Sequence, residues 1–112
     1  MSVLTLKWES LREKLAAQFG KKPDLQGMLF LIGVDELGKI KTDFNKEEKQ
    51  DLIHIGICKV LTYGGYYEFV GLDEDGWPHY RAITNVPVLK LSEQEEIIRS
   101  YAIHHFEQLG MI

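Results

Sequence analysis

The sequence predicts an α+β domain of four helices with one antiparallel β-hairpin between the third helix and the fourth. Three observations carry that expectation. Asn45 is followed three residues later by Glu48, and Ser92 by Glu95, the pattern in which a short polar side chain caps a helix and a carboxylate reaches back to it. Two earlier stretches carry apolar residues at helical or all-round spacing and stop at Gly20 and Gly38, where a left-handed residue ends a helix most easily. YYEFVGL and WPHYRAI flank the turn-forming DEDG, which reads as a hairpin.

The 112 residues suit one domain, residues 1–112, large enough to fold without metal or disulfide staples. A net charge of −4 argues against a nucleic-acid surface, which needs a basic face. Lys21-Lys22 and Lys39/Lys41 are too few to make one. Cys58 is the single cysteine, so no internal bridge and no oxidising compartment are implied. The start of the chain turns charged by Lys7 and shows no signal peptide. The longest uncharged apolar stretch, Met28 to Val34, falls far short of the roughly 20 residues that span a bilayer. A cytoplasmic protein with no membrane partner is the expectation.

In chain order, the first helix covers Thr5 to Phe19. Leu4, Trp8, Leu11, Leu15 and Phe19 form a narrow stripe opposite Lys7, Glu9, Arg12, Glu13 and Lys14, a face suited to docking on a core. The second helix runs from Leu25 to Leu37, with Asp24 as its cap and Gly38 past its end. Its apolar residues point in all directions, so a buried strand over Met28–Val34 is the alternative. On the helical reading Glu36 shares a side with Leu25, Leu29 and Ile32 and needs a partner.

After a connector from Lys39 to Phe44, the third helix runs from Asn45 to Thr62. Glu47, Glu48 and Asp51 stand near the positive end of its dipole, and Ile53, Ile57, Val60 and Leu61 make its apolar face. LIHIGIC also alternates like a strand, with Gly64-Gly65 able to close a hairpin; the capping signal favours the helix. In the hairpin a four-residue loop pairs Leu72 with Trp77, Phe69 with Tyr80 and Glu68 with Arg81. Tyr67, Phe69, Tyr80 and Ala82 then share a core face, while Tyr66, Glu68, Val70, Leu72, Trp77, His79, Arg81 and Ile83 share a wetter one. A break at Asn85-Val86-Pro87 and a short extended VLKL lead to the last helix, which Gly110 ends. Its stripe is Ile98, Tyr101, Ala102, His105, Phe106 and Leu109.

Two places can carry chemistry. Glu47, Asp51, His54 and Cys58 line one flank of the third helix. His54 and Cys58, one turn apart, can share a divalent metal with Asp51, and Glu36, His104 and His105 can complete the set across a helix interface. No CxxC, HExxH or EF-hand spacing accompanies them. The plainer reading makes His54 a core-edge histidine and Cys58 a small buried hydrophobe. Nucleophilic use of Cys58 is disfavoured by its apolar neighbours Ile55, Ile57 and Leu61. DEDG lacks the ligand count of a calcium loop and reads as solvated turn chemistry. Of His104 and His105, one is expected to be buried.

The other place is the aromatic surface of Tyr63, Tyr66, Tyr67, Trp77, His79 and Tyr80 with Arg81, types common at protein–protein contacts and in ligand clefts. The plain alternative is that half of these rings are core.

Taken together, LFLIGVDELGK, EEKQDLIHIGIC, GYYEF and DEDGWPHY resemble a small bacterial family of proteins of about this length with no assigned activity. The resemblance covers Pro23 to Ile83, implies a bacterial cytoplasmic protein, and brings no catalytic residues. The functional expectation is a non-enzymatic interaction module, a homodimer joined through Tyr66, Trp77, His79 and Arg81, without a cofactor and open to a protein or small-molecule partner. The alternative is a small metal- or ligand-dependent enzyme built from Asp51, His54 and Glu36 with His104 or His105.

Overall fold

A computed structural model describes residues 2–38, 43–85 and 90–111. Its elements follow the predicted order: α1 Val3–Phe19, α2 Leu25–Leu37, α3 Lys46–Thr62, β1 Tyr67–Leu72, β2 Pro78–Ala82 and α4 Leu91–Gln108. Both stretches that also read as strands are helical. In each the ends decide: Asp24 accepts from the Gly27 N–H, and Asn45 accepts from the Glu48 N–H while Glu48 accepts from the Asn45 N–H. These bonds satisfy donors that a helix leaves orphaned in its first turn.

The α2–α3 pair is the spine of the molecule. A Cβ on Gly33 would lie 2.0 Å from the Leu52 carbonyl oxygen, and one on Gly56 would lie 2.1 Å from that of Leu29. The two backbones therefore touch at two points where only hydrogen fits. On one side of this crossing, Met28, Leu29, Ile32 and Val60 meet Trp8, Leu11 and Leu15 of α1 and Ala102, Ile103 and Phe106 of α4. On the other, Leu37, Phe44, Leu52 and Ile55 form a second core, against which Phe30, Val34, Trp77 and Tyr80 pack. The hairpin is thus a lid on the second core, and α1 and α4 enclose the first.

Several details differ from the sequence reading. α4 starts at Leu91, with Lys90 in the cap position and Glu93 accepting from its N–H at 3.4 Å, so Ser92 lies inside the helix and caps nothing. Phe19 and Leu109, expected in buried stripes, are exposed, because each sits in the last turn of its helix or just past it. Phe69 and Tyr80 pair and Glu68 faces Arg81 as expected, but a bulge between Phe69 and Gly71 puts Leu72 opposite Pro78. The turn is one residue longer in consequence, and Trp77 swings from the expected wet face onto the second core. Phe69 contacts the Tyr80 ring yet is 55% exposed, so its face is only partly core. Lys39 to Thr42 of the connector, and Val86 to Leu89 of the break and extended segment, lie outside the described residues.

Candidate functional site

The longer turn creates a cleft. Asp73 accepts from the N–H groups of Asp75 and Trp77, both at 2.9 Å, and its second oxygen is 2.9 Å from His79 Nε2. These bonds tie the turn from within, as aspartate commonly does, and hold the Asp73 carboxyl below the usual carboxylate range, the His79 bond most of all. The turn so fixed stands over the flank of α3. Between them lies a cavity of about 430 Å³, within the range of small-ligand sites.

Asp51, His54, Ile55 and Cys58 form its floor, with Tyr67, Asp73, Asp75, Trp77, Pro78, His79 and Tyr80 as its walls. Cys58 is buried, its sulfur 3.6 Å from His54 Nε2. Burial pushes its thiol up, so at neutral pH it is a weak donor to the imidazole and not a thiolate. Burial also pushes the Tyr80 hydroxyl up, with Glu36 adding to the effect; it stays protonated. The lining thus carries the carboxyl groups of Asp51, Asp73 and Asp75 and the imidazoles of His54 and His79, with no lysine or arginine among the lining residues.

Of the expected interaction residues, Trp77 and His79 line this cleft. Arg81 is turned to its cross-strand partner Glu68 in a salt bridge, and Tyr66 is half-buried with its carbonyl accepting from the Ile83 N–H at 2.9 Å. The four do not make one surface. Of the α3 flank, Asp51, His54 and Cys58 reach the cleft while Glu47 does not line it.

The remaining expected ligands stand elsewhere. Glu36 and His105, with Asp35, are the one compact group of three ligating side chains among the described residues, their ligand atoms all within 4.8 Å of one another. The metal set read from sequence is therefore divided between two places, and Asp51, His54 and Cys58 do not form such a group. His105 is only 3% exposed. Its Nδ1 is 2.7 Å from the Tyr63 hydroxyl, and its Nε2 is 3.6 Å from Asp35. Lys59 pairs with Glu36 at 3.6 Å and lies over the Tyr63 ring. His104 is the exposed member of the histidine pair and meets the edge of Tyr63.

Asp35 was not singled out in the sequence. Its only signal is adjacency to Glu36, in a helix whose all-round apolar pattern conceals which side a late residue takes. The acidic turn likewise has no calcium-like cluster among the described residues, since Asp73 spends its oxygens on the turn and on His79.

No protein-family model, curated protein or solved structure matches the chain. The resemblance read in Pro23 to Ile83 thus assigns no role to any residue, and the chemistry rests on geometry. Among the described residues no helix is long and apolar enough to cross a membrane.

Proposed function

We propose that the chain is a binding module whose cleft, between α3 and the hairpin, receives a cationic group with an apolar body: an organic ammonium or a lysine-like side chain. The observation that carries the reading is the lining itself, where Asp51, Asp73 and Asp75 share the walls with Trp77, Tyr67 and Tyr80. Aromatic faces attract cations through the ring quadrupole, and a carboxylate nearby adds charge. Binding is favoured over covalent catalysis because Cys58, the one thiol of the cleft, is buried and is pushed up by that burial.

Titration with choline, followed by Trp77 fluorescence and by amide resonances, tests this. Saturable shifts confined to the cleft are expected, weakened about tenfold by Asp51→Asn with Asp75→Asn and absent with the neutral isostere 3,3-dimethylbutanol. An equal response to the neutral isostere overturns the reading.

A second reading, the homodimer, draws support from the other side of the ribbon. Val70, Leu72 and Ile83 are exposed, Leu72 at 63%, and a two-stranded sheet offers open edges that pair readily with another copy. Sedimentation should show a dimer that Leu72→Ser with Ile83→Ser dissociates; a monomer at high micromolar concentration removes this reading. A Trp77 substitution is unsuited to this test, because the indole packs on the second core.

A further inference from the structure

We infer that Asp35, Glu36 and His105 form a binding site for one borderline divalent transition ion of the zinc class, where the end of α2 meets α4. Two independent observations point there. The first is compactness: the three ligand atoms lie within 4.8 Å of one another, and Nε2 is already 3.6 Å from Asp35 Oδ2. Donors on one tetrahedral ion at about 2.1 Å lie about 3.4 Å apart, so closure needs a shift of about an ångström, which the exposed Asp35 can supply.

The second is an orphaned atom. His105 Nε2 is buried and makes no hydrogen bond, in a side chain 96% removed from solvent, and its nearest acceptor is Asp35 Oδ2 at 3.6 Å, longer than a hydrogen bond. Such atoms are rare in folded proteins and call for a partner. The far side of the ring is spoken for by the Tyr63 hydroxyl at 2.7 Å. When an ion is bound, Nδ1–H would donate to that oxygen and leave the Nε2 lone pair for the metal, which is how an outer hydrogen bond orients a ligating histidine.

An imidazole nitrogen with two carboxylate oxygens suits zinc, iron(II) or manganese(II) and is a poor set for calcium or magnesium, which take oxygen alone. The cation now present is Lys59, 3.6 Å from Glu36. An incoming ion has to share Glu36 with that ammonium or displace it.

Zinc is the probe. The full chain, stripped with chelator, is titrated with zinc chloride by calorimetry and by imidazole nitrogen resonances. One equivalent is expected to bind, moving His105 Nε2 and leaving the His54 nitrogens in place. Asp35→Asn and Glu36→Gln should each weaken binding about tenfold or more, and Lys59→Met should tighten it, a gain that a merely structural role for the cluster does not produce. Cys58→Ala should change nothing. Absence of binding below 100 µM overturns the site, as does binding that survives both carboxamide variants or disappears with Cys58→Ala, which would place the ion beside α3.

Discussion

The cleft over α3 and the cluster between α2 and α4 are built from the same residue types, aspartate, histidine and tyrosine, and differ in how their polar atoms are used. In the cleft Asp73 spends both oxygens on the turn and on His79, and Cys58 leans on His54. The polar groups there mainly shape a cavity, and its walls supply aromatic faces and charge. In the cluster the ligating atoms lie within 4.8 Å of one another, one imidazole is almost wholly buried, and one of its nitrogens makes no hydrogen bond. A satisfied polar group builds structure; a buried unsatisfied one signals a missing partner. On the two readings proposed above, the first region takes a molecule with an apolar body and the second a single ion.

Both regions hang on the α2–α3 crossing, and breaking it should erase the difference between them. In Gly56→Ala the new methyl carbon would sit 2.1 Å from the Leu29 carbonyl oxygen, a backbone atom that cannot turn aside. The helices must separate, and the expected loss is about 3 kcal/mol, at the upper end for overpacking. Urea unfolding measures it, and choline and zinc binding should both weaken. A loss below about 1 kcal/mol would mean that the crossing yields, and that the two regions are not tied through it.

Trp77→Ala should separate them. The indole is a wall of the cleft and packs on Leu37, Phe44, Leu52 and Ile55, but takes no part in the cluster. Complete burial of a tryptophan would make its truncation cost 3–5 kcal/mol; Trp77 is half-buried, so about 2 kcal/mol is expected. Denaturation measures that loss, choline binding should vanish, and zinc affinity should stay within about twofold. Loss of zinc binding in this variant would show that the second core and the cluster move together.

The division between the regions was only partly legible in the sequence. Where the ends of an element carry capping chemistry, as at Asp24, Gly38 and Asn45, its bounds could be read, because caps act within one turn. The turn that makes the cleft was misread through a single residue. Gly71 has φ of 140° and sits in the bulge that shifts the register by one. A glycine inside a strand is itself a bulge signal; without it Trp77 stays on the wet face and the cavity has no wall. His54 and Cys58 were legible as neighbours because they share a helix. The cluster was not, since Asp35 and His105 lie on helices far apart in the chain and meet only after α1 and α4 enclose the first core. Local pattern fixes which way a helix starts, but only packing decides which of its late residues faces another helix.

The smallest expected effect concerns acid and belongs to the cleft alone. Asp73 is held below the usual carboxylate range first by His79 and then by the Trp77 N–H. A carboxyl depressed in the folded state favours folding in its ionised form. Its contribution is complete above the ordinary aspartate value of about 3.9, and is lost as pH falls through the lower value it has in the fold. Lowering the pH from 5 toward 2 should therefore loosen the turn, read as lower protection of the Asp75 and Trp77 amides relative to their intrinsic exchange rate at each pH, since Asp73 accepts from both N–H groups. Asp73→Asn keeps an acceptor oxygen and removes the ionisation, so exchange at these two amides should lose this part of its acid response. Zinc affinity at neutral pH should be unchanged. Were the protection of Asp75 and Trp77 to fall equally with acid in both proteins, the carboxylate would not be what ties the turn, and the cleft would owe its shape to Trp77 packing alone.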